Sequence, residues 1–189
     1  MAILPVLQEP DKTLRSRAKE VPPEEIKSEK IQKLIADMSA TLRSIEIGIG
    51  LAAPQVGQSL AIFLISEEVL ITKRDREKID REEYKKSKAS QNWKHFVFIN
   101  PKIIRVSEDK ELVPEGCLSV DNIFGQIKRS KRAVIEAFNE NGKKFRKSAS
   151  GLFAQAMQHE TDHLNGILFI DTAINLKTLE ELEKEEASK

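Results

Sequence analysis

The sequence has one cysteine, almost no net charge and no long apolar run. One cysteine permits no internal disulfide. With 31 Lys plus Arg against 30 Asp plus Glu, the formal charge of +1 gives no global signature of nucleic-acid or membrane-surface binding. The start, MAILPVLQEPD, has no basic stretch followed by an apolar run and cleavage site, and no segment reaches the length that spans a bilayer. A phosphate loop is missing too: GIGLAAPQVG, residues 48–57, lacks dinucleotide-fingerprint spacing and a following Gly-Lys-Ser/Thr. These absences exclude DNA and membrane partners and favour a reducing, cytoplasmic compartment. The length of 189 residues suits one domain, residues 1–189, with its own core.

What is present centres on residues 148–166, SASGLFAQAMQHETDHLNG. Leu152, Phe153, Ala156, Met157 and Leu164 recur at helical spacing, and His159, Glu160 and His163 share their stripe. Ser148 or Ser150 can cap the start, and Asn165-Gly166 supplies the left-handed stop. Two imidazoles and a carboxylate facing a core need compensation, which a divalent cation supplies. In H-E-x-x-H the histidines lie one helical turn apart and converge, while the glutamate reaches water at the metal and serves as general base, here Glu160.

A catalytic site of this kind usually has three protein ligands. One protease class places a third His six residues after the second, but that position is Phe169. Another uses a Glu about twenty residues on, for which Glu180, Glu181 and Glu183 are candidates; the chain would then be a metalloendopeptidase. The remaining candidate is Cys117, whose thiolate suits a borderline-soft metal.

Along the chain, Pro10-Asp11 begins a helical turn through Arg17, and the apolar spacing from Glu24 to Ile45 predicts a long N-terminal helix. Strands are predicted at Leu60–Ile65, Phe96–Asn100 and Ile103–Val106, with Asn100-Pro101 turning between the last two. Further strands are predicted at Ile123–Ile127, Ala133–Phe138 and, after a turn at residues 139–142, Lys143–Lys147. Residues 73–93 form a charged surface insertion whose expected role is that of a tolerated excursion. His95, beside it, reads as structural, and Cys117 falls near a strand end. After Asp171 the tail reads as a charged helical end. Strands first and the key helix late predict an α+β fold, mainly antiparallel sheets around a central metal-binding helix.

GIGLAAPQ, EGCLS and QHETDHLNG, in this order and spacing, resemble the peptide deformylase family, and the likeness runs from Ile3 to Asp171. The resemblance implies hydrolysis of the formyl group from N-formylmethionine of nascent polypeptides, releasing formate. It implies one divalent ion on Cys117, His159 and His163, typically ferrous iron, with zinc, nickel or cobalt able to replace it. It assigns the Gln55 side-chain N–H and Leu118 backbone N–H to the charge that develops on the formyl oxygen. The peptide would bind as an added strand along Ile49, Gly50 and Gly116, beside small residues such as Gly48. Its methionine side chain would lie near Ile49, Val113, Leu152 and Ala156. Arg129 matches a family arginine of structural or peptide-orienting role. Many bacterial members continue EGCLSV with Pro-Gly or Pro-Glu, whereas this chain has Asp121-Asn122, which implies a different pocket rim. Some members contact the ribosome through a basic C-terminal helix; the tail here carries glutamates, so transient ribosome contact has no support from it.

Overall fold

The computed structural model describes residues 1–71, 86, 88 and 93–187. Most of the insertion at 73–93 therefore lies outside the described residues. Among the described residues the strands form two antiparallel sheets. The larger has the spatial order β1 (Gly50–Ala52), β2 (Ile62–Ser66), β3 (His95–Val106), β6 (Arg132–Phe138) and β7 (Lys144–Ser150). The smaller orders β4 (Lys110–Cys117), β5 (Val120–Ser130) and β8 (Ile174–Thr178). The α-helices whose bounds fall within the described residues are α1 (Glu29–Ser44), α2 (Gly151–Leu164) and α3 (Leu179–Ala187).

Strand β2, IFLIS, is buried throughout because both faces of the larger sheet are covered. Period-two alternation sends Ile62 and Leu64 into a core with Ile31, Ile35, Met38 and Leu42 of α1. Phe63 and Ile65 point the other way, into a core with Phe153, Ala156 and Met157 of α2. Helix α2 is thus the covered centre of the fold. Gln158 pins it laterally: its Oε1 accepts from the Ser130 N–H at 3.1 Å and its Nε2 donates to the Ser130 carbonyl at 2.9 Å.

Several sequence expectations shift in detail. Helix α1 begins at Glu29, not Glu24, because Ser28 caps it by accepting from the Ile31 N–H, while Pro23–Glu25 forms a separate 3-10 turn. The helical turn after Pro10-Asp11 is a short 3-10 segment, Lys12–Arg15, capped by Asp11. Asn100-Pro101 does not turn the chain: β3 runs through it, and Asn100, at φ 50°, sits at a bulge between Ile99 and Lys102. Asn100 holds that distortion by exchanging hydrogen bonds with the Val21 backbone at 2.8 and 2.7 Å. Ser148 and Ser150 belong to β7, and Ser150 makes no side-chain cap bond to α2. The other end behaves as expected: Gly166 adopts φ +75°, and a Cβ there would lie 2.5 Å from the Arg15 carbonyl oxygen. Ile174–Thr178 is a strand, not part of a helical tail, because it pairs with Ile123, Phe124 and Gln126 of β5. His95 has the structural place expected of it, stacked on Trp93 with ring centroids 5.1 Å apart.

Candidate metal centre and substrate cleft

Helix periodicity places Leu152, Ala156, His159, Glu160 and His163 toward one side of α2. Cys117 ends β4, where the pairing with β5 shifts register between Gly116 and Cys117. That break lets the thiol leave the ladder and face the helix. Its Sγ lies 3.2 Å from His163 Nε2, and donor atoms of Cys117, His159 and His163 all fall within 4.8 Å of one another. The Ser119 N–H, at 3.4 Å, and Gln55 Nε2, at 3.6 Å, point to the sulfur.

The two rings are prepared differently. His159 Nδ1 bonds Glu115 Oε2 at 2.9 Å, which leaves Nε2 as the nitrogen that could meet a metal. Arg129 grips the same carboxylate with two bonds, Nε to Oε1 at 2.8 Å and Nη2 to Oε2 at 3.0 Å, and reaches Asp162 at 2.6 Å with Nη1. Burial pushes the Glu115 carboxyl up, but the hydrogen bonds and charges of His159 and Arg129 outweigh it and hold the group at about 2. A permanently ionised Glu115 fixes the tautomer and tilt of His159. Partners of this kind typically govern metal affinity by about 10- to 100-fold. His163 is buried, and burial holds it neutral, the form that ligates.

Glu160 is 4% exposed, and its Oε2 has no hydrogen-bond partner among the described residues. Burial pushes this carboxyl up to about 7, against the pull of His159 and with the help of Glu115 and Asp162. The side chain fits because residue 50 is glycine: a Cβ there would run into the Glu160 carboxylate, 2.7 Å from Cδ. A partnerless buried carboxylate oxygen beside one thiol and two imidazoles fits a divalent ion and its water better than any self-satisfied polar core.

A cleft of about 500 Å³ opens beside these groups. Its lining includes Gly48, Ile49, Gly50, Gly116, Leu152 and Ala156, all anticipated from sequence, together with Cys117, Leu118, His159 and Glu160. Ile45, Ile47, Ile123, Phe124 and Leu179 extend the apolar wall beyond the residues expected. Gly116 is required opposite Phe124, whose ring would lie 2.7 Å from a Cβ. Val113 corrects the expectation: it pairs with Ile127 and packs against the cluster that includes Val120, outside the cleft lining, because β4 carries it four residue pairs away from Cys117. Gln55 is buried, its Oε1 taken by the Ala52 N–H at 2.8 Å, so that its Nε2 faces Cys117 and Ser119.

The downstream glutamates do not complete the site. Glu180 pairs with Lys184 at 2.6 Å, Glu181 accepts from the Thr178 N–H at 2.7 Å, and Glu183 is exposed on the same helix. Sequence reasoning overlooked Glu115 and Asp162, although Glu115 shares a strand face with Cys117 and Asp162 stands one turn from His159.

Fold and site together define a metallohydrolase built on an HExxH helix, with a cysteine sulfur brought beside its two histidines. Comparison with known proteins narrows the class. The polypeptide deformylase family model matches residues 3–179. A peptide deformylase of Acinetobacter baumannii is 40% identical over 186 residues, covering 98% of this chain and 92% of the relative. Peptide deformylase 2 of Vibrio cholerae is 40% identical over 177 residues, covering 94% of this chain and 90% of the relative. The crystal structure of a peptide deformylase from Legionella pneumophila superposes with a TM-score of 0.75 at 30% identity, covering 100% of this chain and 99% of that one. The chain belongs to the polypeptide deformylase family. An HExxH endopeptidase with a downstream Glu ligand is not favoured, since the exposed glutamates and the family match point the other way.

Proposed function

We propose that this chain releases formate from the N-formylmethionine of nascent polypeptides in the cytoplasm, with one divalent ion held by Cys117, His159 and His163. The observation that carries this reading is the meeting of the lone thiol with two imidazoles beside the partnerless Glu160 oxygen. Ferrous iron is the proposed resident metal, with zinc, nickel and cobalt as substitutes that a donor set of one thiolate and two imidazoles also accepts. When bound, such a cation makes water a strong nucleophile near neutral pH and polarises the formyl carbonyl.

The residues of the chain do the rest. Glu160 takes a proton from the water that attacks the formyl carbon and returns it to the amide nitrogen as the C–N bond breaks, leaving formate and a free amine. Gln55, held by the Ala52 N–H, aims its own N–H groups at the centre, and the Leu118 backbone N–H adds a second donor for the negative charge growing on the formyl oxygen. One such donor is typically worth about 3 kcal/mol. The substrate backbone adds as a strand beside Ile49, Gly50 and Gly116, and the methionine side chain enters the apolar wall formed by Ile49, Leu152 and Ala156.

Anaerobically purified protein should release formate from formyl-Met-Ala-Ser, leave the internal peptide bonds intact and lose the activity on chelation. Cleavage of an internal bond with the formyl group retained would contradict the assignment.

A further inference from the structure

Lys88 lies in the charged insertion yet is only 3% exposed. Its ammonium donates to two main-chain carbonyls, Ile45 at 2.5 Å and Gly48 at 2.6 Å. Its own carbonyl accepts from Arg43 Nε at 2.7 Å. Arg43 lies in the last turn of α1 and Ile45 is its C-cap, so a cation here also faces the negative end of the helix dipole. Burial alone pushes the Lys88 pKa down, and the carboxylates of Glu68 and Glu46 pull it back.

The two carbonyls belong to one tight turn. Gly48 N–H donates to the Ile45 carbonyl at 3.4 Å, and the chain then passes directly into Ile49 and β1. Ile45, Ile47, Gly48, Ile49 and Gly50 all line the cleft. Ile47, at the apex, is 72% exposed, and behind it the cross-link comes from Lys88. On the other side, Gly50 lies against Glu160, which backs that end of the segment, so displacement of the turn moves chiefly the edge a peptide would pair with.

We propose that Lys88 is a positioning residue for peptide binding: its ammonium bridges the Ile45 and Gly48 carbonyls and so holds the Ile49–Gly50 edge in register for the incoming substrate strand. This makes Lys88 a working part of the cleft. The inference rests on the deformylase reading above, since it concerns how the peptide backbone is held for that reaction.

Lys88→Met keeps the length of the side chain and removes the donors; Arg43→Gln releases the Lys88 main chain and leaves its ammonium in place. Each variant, metal-loaded, is compared with wild type on formyl-Met-Ala-Ser and on N-formylmethionine amide, which lacks a downstream backbone to pair. Lys88→Met should raise KM for the tripeptide by about tenfold or more with kcat changed less than about threefold, while kcat/KM for the amide falls by no more than about threefold. Arg43→Gln should shift the same ratio in the same direction by a smaller factor. Amide hydrogen exchange over residues 45–50 should accelerate by about tenfold in Lys88→Met, with residues 62–66 unchanged. Equal losses on both substrates, an unchanged KM for the tripeptide or unchanged exchange over 45–50 would each overturn the proposal. If Lys88→Met does not fold, Arg43→Gln decides it by the same ratio. Wild-type protein that releases no formate would instead refute the deformylase reading, and the exchange measurement would still judge the role of Lys88 in the turn.

Discussion

Replacing Glu160 with Gln should lower formate release from a formylmethionyl peptide by about 10²- to 10⁴-fold while the metal content stays at the wild-type level. Glutamine has nearly the same shape, so the space that Gly50 leaves for residue 160 remains filled as before. What it loses is the ability to take and return a proton. The fold should also survive, because Glu160 Oε2 makes no hydrogen bond to any described residue. Steady-state formate release and elemental analysis on the same preparation read both halves of the expectation. A loss smaller than about tenfold would remove Glu160 from the proton transfer, since a positioned general base contributes at least about 10²-fold.

Cys117→Ala should abolish activity by a different route, taking metal occupancy from about one ion per chain to below about a tenth of that, because a catalytic site of this kind needs three protein ligands. The two remaining imidazoles are fixed in place by Glu115 and by burial, so they would still be aligned but short of a donor. Alanine also frees the Ser119 and Gln55 donors now directed at sulfur, and neither can ligate a cation in its place. Glu181→Ala serves as the internal comparison: it should leave metal and formate release unchanged, because Glu181 is engaged with Thr178 on an exposed helix. Retained metal in Cys117→Ala together with loss in Glu181→Ala would restore the endopeptidase alternative. Elemental analysis after anaerobic purification distinguishes the two patterns.

The site helix was readable because its chemistry and its packing share one period. His159 and His163 fall one turn apart on the stripe that Ala156 and Met157 bury, so the motif and the amphipathic pattern reinforce each other. The strand runs IFLI and VFI were legible for the same reason, as both their faces are covered. Several features escaped. Strand β8 is five residues in a segment otherwise prone to helix, and its partner, β5, lies about fifty residues earlier, so local pattern carries no trace of the pairing. The bulge at Asn100 looked like a turn because Asn-Pro favours one locally, while the bonds to Val21 that keep it in the strand come from a distant residue. The Glu115–Arg129–Asp162 network joins β4, β5 and α2, and each member taken singly is an ordinary charged residue. Lys88 is the same case, one lysine in a charge-dense stretch whose role appears only when the carbonyls it meets are known.

X-ray absorption spectroscopy of the anaerobically purified, zinc-exchanged protein addresses the centre most directly. One sulfur scatterer at about 2.3 Å and two imidazole nitrogens at about 2.0–2.1 Å are expected from Cys117, His159 and His163. A first shell of nitrogen and oxygen without sulfur would contradict the account.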